Sequence, residues 1–260
     1  MNRGKNTLRR ASLPALALLA AALGASALAG RLLPAASAAQ EPQAARPDLS
    51  GVWLPNARAS ARWPDPRPYT KAMLEKRAQW DKETAPIDFT RDDDYTSCMA
   101  YRLPYLLTTI TQYPFEILQT DKRIYVFTEV FGQVRRIDLA KPPAIGEDLP
   151  SRVGRSYARW EGSQLVVETT NILPDSEGGR YPSSPKLRVI ERLSIEPAEG
   201  GGRQLINEIT IDDPPVYEEP VTIRMVFKEA PAGVGVGEYI CPQDIWDQHL
   251  DGSSSRIPWR

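Results

Sequence analysis

The chain has 260 residues and a formal net charge of −1 at neutral pH, a balance that argues against a dedicated nucleic-acid or polyanion partner. Its single histidine nearly excludes a histidine-based metal site, and no metal or organic cofactor is expected. No G-x-S-x-G, P-loop or C-x-x-C pattern occurs, which disfavours hydrolase, nucleotide and zinc chemistry of the familiar kinds.

The N-terminus points to export. A polar, basic stretch, MNRGKNTLRR, precedes an apolar run from Ala11 to Gly30, and Ala36-Ser37-Ala38 offers an A-x-A cleavage site. Residues 1–38 therefore read as a signal peptide, and the protein as periplasmic or secreted. Pro14 and the many alanines weigh against a retained anchor, and no later apolar run can span a bilayer, so no stable membrane span is expected after cleavage. Arg9-Arg10 admits a twin-arginine signal, but the residues after the pair match that signal only in part, and an ordinary basic leader is the preferred reading. About 220 residues remain, enough for one domain with a core.

Residues 39–69 are rich in proline, alanine and arginine and read as irregular, except around Gly51-Val52-Trp53. The segment 70–113 holds one helix, Tyr69 to Glu83, with Met73, Leu74 and Ala78 on a narrow apolar stripe, and Trp80 or Arg77 beside it. Asp92-Asp93-Asp94 lacks calcium-loop spacing and reads as a solvated loop. Residues 114–241 form the β-domain. Strands are expected at Phe115–Thr120, Arg123–Val130, Gln133–Leu139, two within Ser156–Thr170, then Leu187–Ile195, Gln204–Asp212, Val221–Lys228 and Glu238–Cys241. Glu161-Gly162-Ser163 supplies the turn inside the central hairpin. Counting Gly51–Trp53 gives nine or ten strands, mostly joined by short turns. The expected fold is mainly β, an antiparallel up-and-down barrel or strongly coiled sheet. Residues 242–260 make a C-terminal tail.

Cys98 and Cys241 both lie in the exported part, where an even pair reads as one disulfide. Closing so long a loop is worth about 4 to 5 kcal/mol at most. A redox-active pair is the alternative, but the spacing is not C-x-x-C.

Side chains alternate across a strand, so each run divides into two faces. Val221, Ile223, Met225 and Phe227 share one apolar face. Leu187, Val189, Leu193 and Ile195 share another, with Glu191 in its middle, and Asn207 sits among Leu205, Ile209 and Ile211. Tyr125, Phe127 and Phe131 are assigned with Glu129, and Arg135 with Ile137. A carboxylate on such a face is costly unless paired, so these polar groups should meet. Glu129, Glu191 and Tyr125 are the candidate acid–base residues, and Arg135, Asn207 and Phe127 the candidate ligand-binding residues. Glu168 and Arg136 fall on the opposite faces and are the reserves if the register slips.

Two resemblances bear on the fold. Gly51-Val52-Trp53 resembles the Gly-x-Trp that opens lipocalin-like (calycin) barrels, where the tryptophan packs across the closed end. The segments YPFEILQT, QVRRIDL, RWEGSQLVVETTNI, RVIERL, ITIDDPPVYEEP and EYIC resemble a family of secreted, largely uncharacterised β-rich proteins of environmental bacteria, over Asp48 to Cys241. That family often has C-x-P-x-G-x-P at the first cysteine and C-H-E-x-N at the second. Here Cys98 is followed by Met99-Ala100-Tyr101 and Cys241 by Pro242-Gln243-Asp244, and the resemblance carries over no catalytic residues.

Three functions remain open at this stage. The first is a barrel binding a small, largely apolar or aromatic molecule inside. The second is a cofactor-independent lyase, isomerase or hydrolase using carboxylate or tyrosine acid–base chemistry. The third is a structural envelope protein whose barrel is filled by its own side chains.

Overall fold

The structure, a computed structural model, describes residues 46–84, 99–109, 113–140, 149–175 and 181–240. All belong to one compact unit, Pro42–Arg260. The expected signal peptide, the Asp92–Asp94 run, both cysteines and the expected C-terminal tail lie outside the described residues.

Nine strands close into a barrel in sequence order: β1 (Gly51–Pro55), β2 (Phe115–Gln119), β3 (Arg123–Thr128), β4 (Gln133–Asp138), β5 (Arg155–Glu161), β6 (Gln164–Thr170), β7 (Arg188–Pro197), β8 (Arg203–Asp212) and β9 (Val221–Glu229). Closure comes from β9 pairing antiparallel with β1, with Trp53 opposite Glu229 and Pro55 opposite Phe227. The expected β-barrel is thus present, lipocalin-like in winding neighbour to neighbour.

One feature of the expected topology is corrected. A ring with an odd number of strands cannot alternate direction all the way round, and the mismatch falls between β4 and β5, which run parallel. That seam is short, pairing only Ile137 with Ser156 and Asp138 with Tyr157. Its connection, residues 139–154, has the length a parallel crossover demands, roughly a dozen residues or more. By contrast, β7 and β8 stay in register from Arg188 opposite Asp212 to Pro197 opposite Arg203.

The strand expected at Glu238–Cys241 is not formed over Glu238–Ile240, and Cys241 lies outside the described residues. The physical reason is closure: β1 already pairs with β2 and β9, so the barrel has no free edge to receive a tenth strand.

Trp53 is fully buried, and its indole Nε1 donates to the Leu49 carbonyl oxygen at 3.0 Å. The Arg203 guanidinium lies 5.3 Å from its ring centroid and is itself tied to Glu229 and to the Asp48 carbonyl. Helix α1 spans Lys71–Thr84, and Thr70 Oγ1 accepts from the Met73 backbone N–H at 3.2 Å, an N-cap. Met73 is buried, but Leu74 is 53% exposed, so the expected apolar stripe narrows to one anchoring residue. A short second helix, α2 (Tyr105–Thr109), follows Pro104 and places leucines against the barrel interior.

Candidate functional site: a buried ion pair beneath an apolar cavity

The alternation read from β7, β8 and β9 holds. Leu187, Val189, Glu191 and Leu193 are buried together, as are Leu205, Asn207, Ile209 and Ile211, and the four expected β9 residues. Arg135 and Ile137 of β4 also point inward. Since β4, β7 and β8 all face one interior, their lone polar residues converge.

Arg135 organises the cluster. Its Nε donates to Ser156 Oγ of β5 at 3.1 Å, and its Nη2 to Thr169 Oγ1 of β6 at 2.8 Å and to Glu191 Oε2 of β7. Asn207 Nδ2 of β8 donates to the other carboxylate oxygen, Oε1, at 2.9 Å. Ser156 Oγ and Thr169 Oγ1 share a further hydrogen bond of 2.9 Å. Four consecutive strands are therefore linked through one guanidinium, and Glu191 extends the link to β8, across the seam where the backbone ladder is shortest. Charge sums to zero, since the arginine meets one carboxylate. Burying two such charges is tolerable only with this density of partners.

A cavity of about 40 Å³ borders the cluster. Arg135, Glu191, Asn207 and Thr128 supply its polar lining, and Phe115, Ile117, Val126, Ile137, Leu193, Leu205 and Phe227 its apolar walls, with Leu106 and Leu107 from α2. Its volume admits about three water-sized groups. Asn207 is 5% exposed, and its Oδ1, itself with almost no exposed surface, has no hydrogen-bond partner among the described residues. The amide orientation is fixed by chemistry, because only the nitrogen can donate to the Glu191 carboxylate.

Three sequence-assigned residues do not join this group. Tyr125 and Phe127 stack on one another at 6.4 Å on the outer face of β3, while Ile124, Val126 and Thr128 turn inward. Both parities of that strand are apolar, so alternation could not select the face. Glu129 has left the ladder: β3 ends at Thr128, and Glu129 takes helical angles (φ −58°, ψ −47°) leading into a 3-10 turn, Val130–Gly132. Its Oε2 accepts from the Gly237 N–H at 2.8 Å, holding the segment after β9. The reserves stay outside as well: Glu168 pairs with Arg188 at 3.5 Å, and the Arg136 side chain is 59% exposed.

What sequence reasoning missed is a continuous run of aromatic rings beside α2. Tyr69 stacks on Tyr217, which contacts Trp63; Trp63 contacts Tyr181, and Tyr181 stacks on Tyr105 of α2 at 4.0 Å. Tyr105 continues to Tyr101, Phe131 and Tyr239. Arg67 lies over both Trp63 (4.5 Å) and Tyr181 (4.9 Å) and donates to Tyr69 Oη. These residues come from scattered irregular segments, so no local pattern could have joined them. Burial pushes the Tyr217 hydroxyl well above its ordinary pKa, so it stays neutral. Asp213, fully buried nearby, is also raised by desolvation, against two hydrogen bonds from Ser184 that favour its charged form.

Among the described residues no group of three or more His, Cys, Asp or Glu side chains is placed to hold a metal ion, and no helix is long and apolar enough to cross a membrane. No protein-family model matches this chain, and comparison with curated proteins gives no match. What the fold and site define is a closed β-barrel with a charge-neutral polar cluster at the edge of an apolar cavity.

Proposed function

We propose that the protein is a periplasmic or secreted barrel that binds a small, largely apolar molecule in its interior, with the ligand's polar end against Arg135, Glu191 and Asn207. The observation that carries this reading is the cavity itself, in which the buried polar residues Arg135, Glu191, Asn207 and Thr128 face otherwise apolar walls. Binding is favoured over acid–base catalysis because both Glu191 oxygens are already engaged and no second carboxylate lines the cavity among the described residues.

A Cys98–Cys241 disulfide belongs to the same proposal. Phe131 packs on Tyr101 at 4.9 Å and on Tyr239 at 4.7 Å, so the flanks of both cysteines meet on one ring. The test is native mass spectrometry of protein taken from the periplasm of its own host, with Glu191→Gln alongside. Expected are a co-purifying small molecule that the variant retains less well, and an unfolded, unreduced chain lighter than the reduced one by two hydrogens. A ligand-free mass across preparations contradicts the binding reading, and equal unreduced and reduced masses contradict the bridge.

A further inference from the structure

The outer face of β2, β3 and β4 differs in kind from the rest of the barrel wall. The outer faces of β5 to β9 carry ion pairs between strands: Arg192 with Glu161, Arg188 with Asp212, Arg203 with Glu229 and Arg224 with Glu196. On β2 to β4 the corresponding positions are largely apolar. Leu118 is 48% and Val134 51% exposed, and Tyr125 and Phe127 lie between them on β3, half-buried. An exposed apolar patch rimmed by polar residues marks an association surface. We propose that this face pairs with the same face of a second copy of the chain about a two-fold axis, independently of the interior site.

Strand register supplies the geometry. Glu116, Phe127 and Val134 stand side by side across the three strands, and Leu118, Tyr125 and Arg136 form the next row. The opposite charges of Glu116 and Arg136 therefore occupy opposite corners of a patch whose centre is the stacked pair Tyr125 and Phe127. A two-fold axis lying in the contact plane, at right angles to that diagonal, sets Glu116 of each copy against Arg136 of the other. The aromatic rings of both copies then meet at the centre. Both corner charges are available for this pairing. Asp138 is bound to Arg123 at 2.6 Å and reaches Arg136 only at 3.8 Å, and Glu116 makes no ion pair among the described residues. A partner of one charge sign, or an uncharged surface, leaves at least one corner unmatched, whereas the same face turned over matches both.

The experiment is analytical ultracentrifugation of the wild type, of Glu116→Arg, of Arg136→Glu and of an equimolar mixture of the two variants. The wild type is expected to dimerise reversibly with concentration. Each single reversal should weaken dimerisation about tenfold or more, because like charges then face one another at both contacts. Mixing the variants should restore it, since the two positive corners of one meet the two negative corners of the other. Should either variant fail to fold, the double reversal Glu116→Arg/Arg136→Glu replaces the mixture and is expected to dimerise as the wild type does. A wild type that stays monomeric up to about 100 μM overturns the pairing. So do dimers that survive both single reversals unchanged, or charge-restored combinations that fail to recover. Each of these results leaves the interior binding reading untouched.

Discussion

Arg135 is buried against one carboxylate, two hydroxyls and a cavity, and its removal separates the costs of charge from those of packing. Arg135→Leu leaves Glu191 buried with an uncompensated charge, so it should destabilise the protein by about 3–5 kcal/mol. The double variant Arg135→Leu/Glu191→Leu replaces the pair by apolar groups and should recover most of that loss. Urea denaturation of both single variants and the double closes the cycle. Additive losses would mean that the guanidinium and the carboxylate act independently, contrary to the geometry. Much of this cluster was legible residue by residue. Glu191 and Asn207 each interrupt a clean apolar alternation, so a single polar residue among buried neighbours had to find a partner. Glu129 was misplaced for an equally local reason: nothing in its sequence shows that the ladder ends one residue earlier.

At the scale of elements, the β5–β6 hairpin shows how similar backbone angles can carry different demands. Gly162, in its turn, has φ +61° with open space where a Cβ would sit. Gly154, just before β5, has φ +62°, but a Cβ there would lie 2.5 Å from the Thr170 carbonyl oxygen and 2.7 Å from Ile172 Cγ1. Gly162→Ala should therefore cost only the left-handed penalty, about 1–2 kcal/mol. Gly154→Ala should cost well beyond that, because backbone of β6 must move. Comparable losses in the two variants, measured by chemical denaturation, would show that the close approach at Gly154 is readily relieved. The hairpin and its turn were evident from sequence because a polar turn separates two strand-like runs. Strand β3 was not, since Tyr125 and Phe127 outside are as apolar as Ile124 and Val126 inside. Nor was the exposure of Leu74, because α1 rests on the molecule chiefly through Met73.

For the whole molecule, closure explains more than any single contact. Nine strands impose one parallel seam, the seam needs the long crossover, and the Arg135 network links strands across it from within. The strand count and spacing were readable as a barrel. The parallel pair was not, because it follows from the parity of the count rather than from any local pattern. The aromatic run beside α2 was hidden for a related reason, its members being brought together only by the finished fold. The central claim is that the space beside Arg135, Glu191 and Asn207 is a ligand site rather than a packing remnant. Its most direct test is to fill that space and measure ligand-induced thermal stabilisation. A panel of small, largely apolar molecules, each with one polar group, should include members that raise the Tm of the wild type but not of Val126→Phe, or of Leu193→Phe should the first overpack. Equal stabilisation of the wild type and a folded, cavity-filled variant would place binding elsewhere and contradict the account.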